Sequence, residues 1–182
     1  FDDPEIHLKA ANLWANEYFK KNDKKNFEDI SVTQSKNKIK IAYYSADFRT
    51  HAMGHLLVRM FELHNKNEFE IYGFYFGPKI KEDDQLSRRI ANSFDKFIDV
   101  SNKNDNEIVE LSRSLGINIA VDLMCYTGNH NRFGIFIKKC APIQVNFLGY
   151  PGTSGSKCID YIIVDKKLIS DANKDYFSEK FI

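Results

Sequence analysis

The sequence predicts an α/β fold: a doubly covered, mostly parallel sheet preceded by a helix. Three observations carry that prediction. From Ile39 onward, short runs rich in β-branched and aromatic residues alternate with segments of helical period. The runs are apolar on both faces, as strands sandwiched between two helical layers must be. A polar or glycine-bearing turn follows each run, and right-handed crossovers would gather those turns on one rim.

Taken in order, Asp3-Pro4 opens the first helix, because aspartate accepts an orphan amide and proline suits the first helical position. Ile6, Ala10, Leu13, Trp14 and Tyr18 then recur at helical spacing and predict a helix over Pro4–Lys21. The stretch Lys20–Lys38, rich in Lys, Asn and Asp, reads as a solvated connector. This divides the chain into a helical bridge with connector (1–37) and a main lobe (38–182). In the lobe, Ile39–Tyr44 is a strand, and Leu56, Leu57, Met60 and Phe61 mark a helix. Phe69–Phe76 precedes a charged helix near Asp84–Asn92. Lys96–Val100 precedes Glu107–Leu115, with Ile108, Leu111 and Leu115 on one face. Ile117–Leu123 precedes a helix near Arg132–Lys138, and Ile143–Leu148 and Tyr161–Val164 complete the set. The predicted rim collects Asp47–His55, Gly77-Pro78, Asp99–Ser101, Met124–Asn131 and Gly149–Gly155.

Composition narrows the function classes. At 182 residues, with 43% hydrophobic and 14% aromatic content, the chain can build one sizeable core. A formal charge of +1 with dispersed lysines argues against nucleic acid as a partner. No run approaches the roughly 18 apolar residues of a membrane span, and no signal peptide is visible. Cys125, Cys140 and Cys158 form no CxxC pair and are odd in number, so they read as reduced residues of a cytoplasmic protein rather than a disulfide framework or zinc site. The start at Phe1 and the stop at Phe181-Ile182 are read as those of a fragment of a longer protein.

Three segments could carry chemistry. Asp47, His51 and His55 set a carboxylate and two imidazoles at four-residue intervals after the first strand. A carboxylate that accepts a proton and imidazoles that titrate near neutrality are the parts of general base catalysis. Two other readings compete: Thr50 capping a helix that begins at His51, or three metal ligands on one helical face. Gly54 and a turn at Arg49-Thr50 argue against one continuous helix, and hence against the metal. The second segment, Leu148–Gly155, has three glycines whose amides could form an anion-binding nest; a tight strand-to-helix turn would need much the same residues. It is no Walker motif, since no Gly-Lys-Ser/Thr follows. In the third, Asp122–Arg132, the residues Tyr126, Thr127, Asn131 and Arg132 suit hydroxyl-rich or peptide ligands, or simply a solvated loop.

Asp47 with His51 and His55, Phe97-Ile98-Asp99, Tyr126-Thr127, Asn131-Arg132, Ala141–Gln144, Leu148–Gly155, Asp160-Tyr161 and Ser178–Lys180 occur in an order that resembles the O-linked N-acetylglucosamine transferase family, in its N-terminal catalytic lobe. The resemblance spans roughly Lys38 to Lys180, and Pro142–Gln144 running on through Gly155 is its most specific part. It implies one Rossmann-like lobe of a two-lobed, GT-B-type enzyme, with a donor-binding lobe downstream and tetratricopeptide repeats upstream. It also implies metal-free, inverting transfer of N-acetylglucosamine from UDP-GlcNAc, a substrate rather than a cofactor, to Ser or Thr of a protein acceptor. A lobe without its donor-binding partner is expected to be inactive. By the resemblance, Asp47 takes or relays the acceptor proton, and His51 and His55 line the sugar and acceptor side. Gly149, Tyr150, Pro151, Gly152 and Thr153 lie under the sugar and pyrophosphate, and Tyr126, Thr127 and Arg132 form the acceptor wall. Cys125 stands where the family has glycine, and Met53 where it has a smaller or β-branched residue, which leaves sugar and acceptor open. A donor such as GDP-fucose, or a repeat-linked module that binds peptides without catalysis, are the alternatives.

Overall fold

The computed structural model describes residues 3–21, 38–165 and 167–182. The elements are α1 (Pro4–Lys21), β1 (Ile39–Ser45), α2 (Ala52–Glu62), β2 (Phe69–Tyr75), α3 (Gln85–Ser93), β3 (Lys96–Asp99), α4 (Asp105–Ser114), β4 (Ile119–Asp122), α5 (Gly134–Ile137), β5 (Ile143–Phe147), β6 (Tyr161–Ile163), a 3-10 helix (Asp171–Tyr176) and β7 (Lys180–Phe181). The connector read between Lys20 and Lys38 falls on residues 22–37, outside the described residues.

The seven strands run in the order β3-β2-β1-β4-β5-β6-β7, and every described pairing is parallel. The chain steps outward from β1 to β3, then returns to lay β4 on the other side of β1. That reversal opens a crevice at the carboxyl ends of β1 and β4, where open α/β sheets bind ligands. Strand alternation sorts the core into two layers. Ala42, Tyr44, Tyr72, Phe74 and Ala120 meet Ile108, Val109, Ile135 and Phe136 on the side of α4 and α5. Ile41, Tyr43, Ile71, Tyr75, Val121 and Val145 meet Leu57, Val58, Phe61 and Ile90 on the side of α2 and α3. Large rings fill both layers: Tyr44 stacks on Phe74 at 4.7 Å and sets its hydroxyl 2.7 Å from Ser112 Oγ.

The helix ends follow from local hydrogen bonding. Asp3 Oδ1 accepts from the Glu5 and Ile6 amides, at 3.0 and 3.3 Å, and starts α1. Asn104 and Glu107 form a reciprocal capping box on α4. The buried face of α1 differs from the one its large apolar residues suggest. Ala11 and Ala15 are buried, whereas Ile6 and Leu13 are 52% and 68% exposed. The reason is a close approach: Gly155 takes φ +61, and a Cβ there would lie 2.6 Å from the Ala11 carbonyl carbon. Small residues let two backbones meet, a contact that hydrophobic periodicity does not register. The 3-10 helix and β7 carry no apolar period either; β7 forms because Lys180 N–H reaches Asp160 O at 3.1 Å and extends the sheet edge.

Candidate functional site

The turn after β1 places Asp47 and His51 at the rim. Asp47 N–H donates to Ser45 Oγ at 2.9 Å, folding the chain back over the strand end. Arg49 Nη2 donates to Asp47 Oδ1 at 3.0 Å and holds a carboxylate that is only 13% exposed. His51, not Thr50, caps α2: it is extended (φ −155, ψ 157), and its Nδ1 accepts from Met53 N–H at 3.3 Å. Thr50 instead bonds Asp84 through both its amide and its hydroxyl, each at 2.8 Å, and so ties this turn to the start of α3. A nitrogen that accepts from Met53 cannot also donate to Asp47. The 3.6 Å approach of Asp47 Oδ2 to His51 Nδ1 is therefore a contact without a shared proton, and Nε2 carries the hydrogen. His55, one turn on, is exposed and opens with Arg49, Thr50 and Pro78 onto a groove of about 960 Å³. A smaller recess of about 500 Å³, lined by Glu62, Arg88 and Arg89, lies between α2 and α3 and holds no rim residue. Asp47 lies outside the helix that carries His55, so the three do not share a helical face. Among the described residues no group of three or more His, Cys, Asp or Glu side chains could hold a metal ion.

The turns after β4 and β5 are built differently. Asp122 Oδ1 accepts from the Met124 and Cys125 amides, at 2.9 and 3.0 Å, and turns the chain at the end of β4. Cys125 sits in the left-handed region at φ 48, a backbone conformation that glycine adopts without strain. Ser45 O–H and Ala46 N–H both point at Met124 Sδ, at 3.6 and 3.5 Å, which joins the β1 turn to the β4 turn. Leu148 and Gly149 are also left-handed, at φ 52 and 69. A Cβ on Gly149 would lie 2.2 Å from Leu123 O, so only glycine lets the β5 turn rest on the β4 turn. Tyr126 and Tyr150 close the seam with ring centroids 5.7 Å apart. The β1, β4 and β5 turns thus form one continuous rim at the switch point.

Several predicted ligand contacts are engaged inside the protein. Thr153 is buried, and its hydroxyl donates to Glu179 Oε2 at 2.8 Å. Glu179, itself 4% exposed, also accepts from Ser154 N–H at 2.7 Å and from the Ser154 hydroxyl. Arg132 Nε donates to Asp105 Oδ1 at 2.8 Å and its Nη1 to Lys103 O at 2.7 Å. Tyr126 O–H donates to Ser154 O, and Thr127 O–H to Met124 O at 2.7 Å. In the glycine turn, the Tyr150, Ser154 and Gly155 amides are used internally. The amides of Gly149, Gly152 and Thr153 have no hydrogen-bond partner among the described residues. Pro151 is exposed beside them.

Four residues of this rim have contacts that a motif reading does not give: Arg49 on Asp47, Glu179 (part of the Ser178–Lys180 match) under the glycine turn, Asp105 on Arg132, and Trp14. The Trp14 ring lies 4.4 Å from that of Tyr126, which makes α1 part of the wall. Arg49 was within reach of a sequence argument, being two residues from Asp47. The other three act across the fold. All three cysteines are free and buried. Among the described residues no helix is long and apolar enough to cross a membrane.

Comparison with known proteins gives the geometry a context. Residues 6–182 match the family described as Glycosyl transferase family 41. The chain is 32% identical over 146 residues to the probable UDP-N-acetylglucosamine–peptide N-acetylglucosaminyltransferase SEC of Arabidopsis thaliana, covering 80% of this chain and 14% of that protein. It is 33% identical over 139 residues to the Caenorhabditis elegans UDP-N-acetylglucosamine–peptide N-acetylglucosaminyltransferase, covering 75% of this chain and 12% of the other. In three dimensions it resembles a mutant O-GlcNAc transferase of Thermobaculum terrenum with a TM-score of 0.86 and 28% identity, over 99% of this chain and 34% of that one. The chain thus spans about a seventh of the length of these curated relatives.

Proposed function

The chain belongs to glycosyl transferase family 41, and on that premise we propose that it is the acceptor-side lobe of a protein O-linked N-acetylglucosamine transferase. The observation that carries the reading is the rim at the switch point, where a held carboxylate, Asp47, shares one edge with a glycine turn that presents free amides. In the proposed reaction the acceptor Ser or Thr oxygen attacks the anomeric carbon of UDP-GlcNAc. The bond from that carbon to the pyrophosphate breaks with inversion, and the hydroxyl proton passes to Asp47 directly or through water. A hydroxyl is a poor nucleophile at neutral pH, so a placed proton acceptor lowers the barrier. His51 contributes an Nε2–H donor to the sugar side, because its Nδ1 is committed to Met53. Gly149 and Gly152 offer amides to the departing pyrophosphate, while cations for the nucleotide come from a second, donor-binding lobe. In this reading Tyr126 and Tyr150 act as the wall, and Thr153 and Arg132 act through the backbone they hold. No metal takes part, and the nucleotide sugar is a substrate. Tetratricopeptide repeats ahead of α1 and a cytoplasmic location complete the proposal; the buried free thiols favour a reducing compartment.

The test uses the complete two-lobed enzyme. Asp47→Asn is expected to lower turnover by roughly 10²–10⁴-fold while leaving UDP affinity within about twofold, measured by nucleotide release and calorimetry. Unchanged turnover removes Asp47 from the mechanism. Acceptor binding with no nucleotide released from any sugar donor returns the chain to a binding module.

A further inference from the structure

Three buried polar atoms on two neighbouring strands lack a hydrogen-bond partner among the described residues: Asp122 Oδ2, Asn146 Oδ1 and Asn146 Nδ2. Each residue is 1% exposed. Asp122 and Asn146 are Cα partners across the β4–β5 seam, and parallel register puts both side chains on one face of the sheet. An unmet buried polar group costs stability comparable to a lost hydrogen bond, so three at one spot in a well-packed core require an explanation. Their position supplies one. Asp122 holds the β4 turn through its other oxygen, Oδ1. Asn146 lies just ahead of left-handed Leu148 and Gly149, the turn that rests on Leu123 O.

We propose that Asp122 and Asn146 are a positioning pair for the rim: each supplies, across one water or after a half-turn of the Asn146 amide, the hydrogen bond the other lacks, and together they register the Met124–Thr127 turn against the Leu148–Gly149 turn. The consequence for ligands rests on the proposed function, since it takes this rim to be the ligand face. A carboxamide suits the task because it serves a carboxyl in either state. Its NH₂ donates to a carboxylate, its oxygen accepts from a carboxylic acid, and a half-turn of the amide exchanges the two. Both states matter here, because burial pushes the Asp122 carboxyl up to about 6. The groups that sense this carboxyl from the surrounding elements are Cys125, Tyr126, Cys140 and Cys158. Burial raises Cys140 and Cys158 to about 12 and the other two further, so all four stay neutral across the range in question. Glu179 also faces Cys125 and Tyr126, and Lys139 faces Cys158.

Two measurements on the whole chain test the pair, and neither uses a sugar donor or an acceptor. A failure of sugar transfer therefore leaves the pair standing, and a failure of the pair leaves transfer standing. In an NMR titration from acid to pH 8, the Asn146 side-chain NH₂ and the Gly149 amide are expected to shift with the same midpoint as the Asp122 carboxyl carbon. Asp122→Asn should abolish that movement. An Asn146 NH₂ or a Gly149 amide that stays still while Asp122 titrates overturns the proposal. In urea at pH 8, Asn146→Asp sets two carboxyls side by side and should lower the folding equilibrium constant on the order of 100-fold. Exchanging the two, Asp122→Asn with Asn146→Asp, should restore it to within about tenfold of the starting chain. Additive losses overturn the pair, and if Asn146→Asp does not fold, the titration of the unaltered chain decides.

Discussion

The two halves of the rim solve opposite problems. The β1 turn presents titratable side chains, Asp47, His51 and His55, with short local ties; Arg49 and Met53 lie within two residues of the groups they hold. The β4 and β5 turns present backbone, and their polar side chains are buried to keep it in place. Glu179 reaches Thr153 and Ser154 from 25 or 26 residues away, and Arg132 reaches Asp105 across 27. One half presents side chains, to which the proposed function gives the proton transfer, and the other holds a shape. The difference teaches caution in assigning ligand roles by motif: a Thr or Arg in a conspicuous loop can be committed to the fold.

Breaking the shape-holding half should cost the most. Glu179→Ala leaves the Thr153 hydroxyl and the Ser154 amide and hydroxyl without their buried acceptor. We expect a loss of about 4 kcal/mol in urea unfolding, from roughly 1–3 kcal/mol per unmet group. A loss under 1 kcal/mol would show that the glycine turn is held by other means.

The Asp122 carboxyl sharpens the contrast through pH. Its folded value of about 6 lies above the ordinary 3.8, so the native chain binds that proton more tightly than the unfolded chain does. The contribution is therefore full below about pH 3.8 and declines as pH rises through about 6. Above that, the ionised buried group costs about 3 kcal/mol, since each pH unit separating the folded and unfolded values is worth about 1.36 kcal/mol. Asp122→Asn carries no such proton. The stability difference between the two chains, measured by urea unfolding at several pH values, should follow this slope. A flat difference would mean that the carboxyl is ionised and satisfied throughout.

The β1 turn should give the smallest effects on stability. His51→Ala removes the α2 cap and should cost about 1 kcal/mol. His51→Asn keeps a capping oxygen, so its thermal midpoint should stay near that of the starting chain while turnover of the complete enzyme falls. Equal turnover in His51→Asn and the parent would reduce His51 to a cap.

Much of the architecture was legible without the fold. All six predicted strands and all five predicted helices occur, because alternation and helical period are local consequences of burial on one or two faces. The strand Ile117–Leu123 shortens to Ile119–Asp122, since Asp122 turns its own chain. The 3-10 helix and β7 escaped because neither has an apolar period, and the packed face of α1 escaped because alanine against glycine leaves no hydrophobic signature. At the site, the convergence of the turns followed from parallel connectivity, whereas the partners of Arg132, Thr153 and Tyr126 did not.

What the amino-acid sequence determined by itself is therefore the strand–helix alternation, the side of the sheet on which polar turns gather, and the residue types available there. Tertiary structure decided which of those residues remain free. It set Arg49 on Asp47, committed Thr153 to Glu179 and Arg132 to Asp105, and buried Asp122 and Asn146 as register partners on the β4–β5 seam. The physical reason is range. Backbone periodicity is written within one turn or one pleat, but the partner of a buried polar group is set by whichever strand or loop the fold brings beside it, and unmet hydrogen bonds enforce that choice.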